Sequence, residues 1–482
     1  MDNTAKYECV IGLEVHTQLL TKSKAFSSDE AAYGAAPNTL ISPVSLGHPG
    51  TLPVLNKAII EDAIMLGLAM NCNINKYNEF ARKNYFYADL PKGYQISQFN
   101  TPICSGGNVK IHLDSGDKVI GITRIHIEED SGKSIHDLDP FNTLIDLNRA
   151  GVPLLEIVSE PDMRDPEEAY QYLIEVRKLV RYLGICDGNM EEGSLRCDAN
   201  VSVRLWGAKA FGQKVEVKNM NSIRNVKRAL EYEVIRQVEV LEKGGKIVQD
   251  TRSFDAAEGI TFAMRSKEDA NDYRYFTEPD LPPVVLTSEQ IEQVRMSMPP
   301  LPEELFNKYI DQLKLSAYDA GILTDDKATA LYFDQLIGFT NAYKAAANWM
   351  MGPVRSWVNE RAIGMEEFPL EANQLAMLID FVETGSLSFS VAAHKLFPVY
   401  LDNPATPPGQ LAADLNLLQN AADDELQAWI KAAMDTFPDK VEAYRAGNKN
   451  LLGLFMGDIM KRSKGKADPQ KTNQMLRKEL ER

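Results

Sequence analysis

The sequence predicts an α+β protein in which a strand-rich first region is followed by helices alone. Three observations carry this. Segments of strict apolar/polar alternation recur between residues 8 and 205, and two long stripes of 3.6-residue period are set among them. Beyond Met298-Pro299-Pro300-Leu301-Pro302 the pattern reads as helical, with no convincing strand. At 482 residues the chain exceeds one core, and a rate of roughly 100–200 residues per domain predicts about three. Proline-rich breaks at 298–302 and at Pro404-Ala405-Thr406-Pro407-Pro408-Gly409 divide it into 1–297, 298–408 and 409–482.

The strands come first, because alternation assigns their faces. In Glu8 to Leu20 it puts Glu14, His16 and Gln18 on one side. In Val119 to Asp130 it puts Arg124, His126 and Glu128 on one side and Glu129 on the other. Glu156 stands inside Pro153-Leu154-Leu155-Glu156-Ile157-Val158, and a carboxylate in such a run needs a partner, since isolated burial of charge is costly. In Cys197 to Leu205 the odd positions are apolar and the even ones are Asp, Asn, Ser and Arg.

Two helices punctuate this region. Asp165 fits an N-cap, Pro166 the first helical position and Glu168 a capping box. Leu173, Val176, Val180 and Leu183 form its stripe, Arg177, Lys178 and Arg181 suit the negative end of its dipole, and Gly184 stops it. The second starts near Asn221-Ser222, turns Ile223, Val226, Leu230, Val234, Val238 and Leu241 inward, and ends at Gly244-Gly245.

Composition narrows the function. Hydrophobic residues at 44% and charged residues at 25% are an ordinary globular balance, and no apolar run approaches the roughly 18 residues that span a bilayer. Met1-Asp2-Asn3-Thr4 shows neither a signal-peptide nor a transit-peptide pattern. The five scattered cysteines include no Cys-x-x-Cys, which predicts a reducing, cytoplasmic setting without disulfides or a cysteine zinc site. The net charge of −16 hides an asymmetry: residues 440–482 hold 11 Lys/Arg against 5 Asp/Glu, a local +6 on a body of −22. Such an end suits a phosphate-bearing partner, and equally a solvated basic helix face.

Glu14, His16, Glu128 and Glu156 lie on separate strands or strand ends. If they converge, three carboxylates and an imidazole make a hard set suited to Mg2+ or Mn2+ more than to structural zinc. The pattern alone leaves convergence and unrelated surface groups both open. Ser131-Gly132-Lys133-Ser134 ends like a phosphate loop, but Ile127 stands where its first glycine belongs. No Gly-x-Ser-x-Gly elbow is present.

Several blocks carry a family resemblance. Val10-Ile11-Gly12-Leu13-Glu14-Val15-His16, Arg82-Lys83-Asn84-Tyr85-Phe86-Tyr87 with Asp89 to Gln98, and Leu147 to Ile157 are three of them. Glu191 to Asn200, Asp272-Tyr273-Arg274-Tyr275-Phe276 and Met460 to Pro469 follow in order. Together they resemble GatB, the B subunits of bacterial tRNA-dependent amidotransferases. The resemblance implies an antiparallel-sheet cradle, a helical domain and a helical tail of the YqeY type. It implies a transamidase that uses ATP and Mg2+ to phosphorylate the side-chain carboxylate of Glu-tRNA(Gln) or Asp-tRNA(Asn), which ammonia then converts to the amide. It also implies two partners, a glutaminase A subunit that supplies ammonia and a small C subunit.

By the family's pattern Glu14, His16 and Glu156 match metal-site positions, and the remaining acidic ligand falls in the Glu128-Glu129 pair. Alternation favours Glu128. In the tail, Lys461, Arg462, Lys464 and Lys466 are the expected tRNA contacts. Where many members carry Cys-x-x-Cys this chain has Ser42-Pro43-Val44-Ser45, so no zinc is expected, and Thr277 replaces a common proline. A tRNA-binding scaffold without a working metal site and an amide ligase for a small free acid are the competing classes. The intact Glu14/His16/Glu156 set weighs against the first, and the basic tail against the second.

Overall fold

The computed structural model describes residues 6–136, 138–264, 273–418, 423–463, 467 and 469–481. The chain divides into two compact units, Met1–Leu301 and Pro302–Arg482.

The first unit is built on a sheet of 13 strands among the described residues. Ten of them form its continuous path. In chain order these are β1 (Tyr7–Gln18), β2 (Ala81–Asn84), β3 (Tyr94–Ser97), β4 (Gly116–Glu129) and β5 (Pro153–Ser159), then β6 (Leu195–Leu205), β7 (Val215–Lys218), β8 (Thr251–Asp255), β9 (Ile260–Ala263) and β10 (Arg274–Thr277). Across the sheet the order is β9-β8-β7-β6-β1-β5-β4-β3-β2-β10. Every neighbour pair on this path is antiparallel except β7 and β8, which run parallel. A parallel pair needs a long crossover, and the helix Ile223–Glu242 lies between these two strands in the chain.

One face of the sheet is apolar. Ile11, Leu13 and Val15 of β1, Ile125 and Ile127 of β4, and Leu155 and Ile157 of β5 are fully or almost fully buried there. They share a core with three helices: α1 (Lys57–Ala69), α2 (Pro166–Leu183) and α3 (Ile223–Glu242). α2 begins where expected: the Asp165 side chain accepts from Glu167 N, and Gly184 closes the helix at φ 74°, a left-handed conformation that glycine takes without a Cβ penalty. The expected capping box differs in detail. Glu168 accepts from Arg164 N at 2.6 Å, one residue before the cap, and also holds Lys118 at 2.7 Å. α3 is capped by Ser222, which accepts from Asn225 N at 3.1 Å.

The inner stripe of α3 is not wholly apolar. Glu233 is fully buried on it, bound by Arg236 (2.5 Å), Gln237 (3.0 Å), Thr261 (2.8 Å) and, at 3.4 Å, Arg252. The network joins α3 to β8 and β9. A buried carboxylate is tolerated here because two guanidinium groups and two neutral donors replace its water.

The second unit is helical throughout its described residues, from Pro302–Asp311 to Pro469–Leu480. Short helices end at Asp402 and restart at Pro408, on either side of the proline-rich stretch. Tyr309, Phe333, Trp349, Leu375, Ile379 and Leu396 are buried before it. Leu426, Ile430, Phe455, Ile459, Leu476 and Leu480 form a cluster of their own after it. No helix among the described residues is long and apolar enough to cross a membrane.

Candidate metal centre

The register of the central strands aligns four side chains in one row across the polar face. His126 of β4 pairs with Glu156 of β5, Glu156 with His16 of β1, and His16 with Arg196 of β6. Directly paired residues of antiparallel strands share a face, so the row follows from backbone pairing alone. Glu128 stands two positions along β4 from His126, on the same side.

The side chains complete what the register begins. His16 Nε2 lies 3.4 Å from both Glu128 Oε1 and Glu156 Oε2. His126 Nε2 lies 3.1 Å from the same Glu156 oxygen and 3.8 Å from Glu128 Oε2. Ligand atoms of His16, Glu128 and Glu156 all fall within 4.8 Å of one another, which makes them one possible cation site. Glu14, the other predicted member, is on the same face but outside that group, accepting from Asn200 Nδ2 at 2.9 Å.

Burial gives this cluster its electrostatics. Desolvation opposes a charged His126, yet Glu156 and Glu128 outweigh it and push the imidazole up to about 9. His16 is raised by the same balance, burial against Glu156 and Glu128. Glu156 is buried, and the two imidazoles nonetheless hold it well below the usual carboxylate range. Glu14 moves the other way, raised by burial and then by the charge of Glu156. The site is therefore a set of carboxylates that gathers positive charge, as protons on imidazole or as a cation.

The neighbouring residues separate the two glutamates at the end of β4. Glu129 points to the opposite side, bound by Lys92 Nζ and by Ile96 N at 2.8 Å. Ser131–Ser134 make no phosphate cradle: Gly132 N donates to Asp89 O at 2.8 Å, and Lys133–Ile135 pairs as a strand with Leu144–Asp146. Ser42, through its backbone N–H, and Ser45, through its hydroxyl, both donate to Asp29. In the tail, Lys461 and Arg462 end the helix Leu452–Arg462, where Arg462 is held by Asp458 and Thr436. Lys464 and Lys466 lie outside the described residues.

His126 is the participant that the sequence does not single out. Alternation places it on the correct face, but its partner Glu156 is 30 residues away in the chain, and only the β4–β5 register brings them together. Above the cluster opens a cavity of about 280 Å3, lined by His16, Glu128, Lys83, Gln95, Asp130 and Arg196, among others.

A large, mostly antiparallel sheet with a buried carboxylate–imidazole cluster on its polar face, followed by a helical unit, defines the class. Residues 9–292 match the family model described as the GatB/GatE catalytic domain, and residues 331–480 match that of the GatB domain; the chain belongs to this family. Among curated relatives it is similar to the B subunit of the aspartyl/glutamyl-tRNA(Asn/Gln) amidotransferase of Syntrophotalea carbinolica, 46% identical over 477 residues that cover 99% of each chain. The B subunits of the same name from Thermoanaerobacter pseudethanolicus and Chlorobium chlorochromatii are each 48% identical over 475 residues, 98% of this chain and 99% of theirs.

Proposed function

We propose that the chain is the transamidase subunit of a tRNA-dependent amidotransferase, working on Glu-tRNA(Gln), Asp-tRNA(Asn) or both. The observation that carries this reading is the His16/Glu128/Glu156 cluster on the polar face of a GatB/GatE catalytic domain. Its donors suit Mg2+: two carboxylates and an imidazole, with Glu14 as one more carboxylate on the same face. A bound Mg2+ supplies charge neutralisation for a transferred phosphoryl group.

A carboxylate is a poor acyl donor because its leaving group would be oxide. Phosphorylation corrects this: a carboxylate oxygen attacks the γ-phosphorus of ATP, ADP departs, and an acyl phosphate forms. Ammonia then attacks the acyl carbon, inorganic phosphate leaves with the C–O electron pair, and a proton is lost to give the amide. The chain's residues bind and align these groups and hold the site's charge. His126 fixes Glu156, Asn200 fixes Glu14, and burial of the cluster strengthens each electrostatic contact. Ammonia comes from a glutaminase partner subunit, with a small third subunit completing the complex. The helical tail from residue 409, with Lys461, Arg462, Lys464 and Lys466, contacts the tRNA backbone.

The test is to purify the chain with its partners and follow Glu-tRNA and Asp-tRNA with and without ATP. ATP-dependent formation of Gln-tRNA or Asn-tRNA is expected. No amidation of either substrate, with glutamine or with free ammonia, overturns the reading.

A further inference from the structure

The cavity over the cluster has two cationic side chains in its walls besides His16, namely Lys83 and Arg196. They differ in what already holds them. Arg196 gives both terminal nitrogens to Asp130, at 2.7 and 3.2 Å, so its charge is largely met. Lys83 makes no ion pair among the described residues. Its ammonium instead lies over two phenol rings, 4.8 Å from the centroid of Tyr273 and 5.8 Å from that of Tyr85. Aromatic faces orient a cation without neutralising it, which leaves its charge available to an anion in the cavity.

Its placement matches the face of the metal cluster. Ser97 of β3 pairs with Glu128, and Gln95, two residues earlier on β3, pairs with Lys83 of β2. Lys83 therefore stands two strands from Glu128 and two residues along on the polar face, about 12 Å away at the backbone by strand spacing and rise. A long side chain can cover much of that gap. Of the carboxylates lining the cavity, Asp130 is paired with Arg196 and Asp198 with Lys218, so the charge an entering anion meets is that of Glu128, and Lys83 is the cation left to receive it.

We propose that Lys83 binds the side-chain carboxylate of the acidic aminoacyl group and so sets the preference for acid over amide; this rests on the transamidase reading above. A single ammonium among phenol rings matches one negative charge. A triphosphate calls for several donors, and the carboxylate cluster with its cation is the better seat for it.

The experiment uses the whole complex with Lys83→Gln and Lys83→Arg. Dissociation constants are measured for Glu-tRNA and for Gln-tRNA, whose side chain is neutral, alongside KM for ATP and Mn2+ affinity. Lys83→Gln is expected to weaken Glu-tRNA about ten-fold, the scale of one charge-assisted hydrogen bond, and to leave the other three values within about two-fold. Lys83→Arg should recover part of the loss. Equal weakening of both tRNAs, no weakening of either, or a change confined to KM for ATP overturns the proposal. The function fails separately, if the unaltered complex forms no amide.

Discussion

Glu156 is clamped between two imidazoles that come from opposite sides: His126 Nε2 at 3.1 Å and His16 Nε2 at 3.4 Å reach the same carboxylate oxygen. One of the two is a candidate ligand. The other, His126, is 4% exposed and its Nδ1 has no hydrogen-bond partner among the described residues, so its role is carried by Nε2 alone. Replacing His126 with Gln should therefore loosen the cluster without removing a donor from it. Groups that orient ligands typically account for about 10–100-fold in metal affinity, and a loss of that size is expected in a Mn2+ titration. Unchanged affinity would remove His126 from the account.

The raised pKa of His126 has a sign that can be measured. Its folded-state value of about 9 exceeds the ordinary histidine value of 6.5. In metal-free protein the resulting stability is fully present below about 6.5 and is lost as pH rises through about 9, on the order of 3 kcal/mol. Metal binding should show the opposite trend, because a cation on Glu128 and Glu156 competes with the protons on the imidazoles. Urea unfolding in chelator and Mn2+ titration, each between pH 6.5 and 9, check the two slopes.

Glu233 gives a prediction on stability alone. It is fully buried, and its removal leaves Arg236 and Arg252 without their shared carboxylate. Glu233→Ala should destabilise the first unit by about 3–5 kcal/mol, as breaking a buried ion pair does. Urea denaturation followed by a probe in that unit reads it. A change below about 1 kcal/mol would show that the network is not integral to the fold, since only exposed pairs are that weak.

The tail can be tested by salt. Each phosphate neutralised by Lys or Arg releases counterions, so tRNA affinity should fall steeply as salt rises. Removing residues 409–482 should weaken tRNA binding, flatten that slope and raise KM for the charged tRNA, while Mn2+ affinity stays the same. Equal affinity and equal slope for full and truncated chains would mean that the tail does not touch tRNA.

How much of this is legible in the sequence depends on range along the chain. Alternation is local, and it separates Glu128 from Glu129 correctly: one faces His16 and Glu156, the other Lys92. Caps are local too, and Asp165, Ser222 and Gly184 stand where their residue types predict. Strand order and register are not local. The His126–Glu156 and Lys83–Gln95 pairings follow from contacts that no periodicity encodes. Glu233 is invisible for another reason. Apolar stripes are read by their majority, and one buried carboxylate is tolerated when distant residues such as Arg252 and Thr261 supply its partners.

The central claim is that the His16/Glu128/Glu156 cluster, with Glu14 beside it, is where the amide is made. It is tested most directly by measuring two activities in one sample: ATP-dependent conversion of Glu-tRNA to Gln-tRNA, and glutamine hydrolysis by the assembled complex. Glu14→Ala, His16→Ala, Glu128→Ala and Glu156→Ala should each abolish the first and leave the second largely present. Amide formation at the unaltered rate by the Glu14→Ala and Glu156→Ala complexes would contradict the assignment.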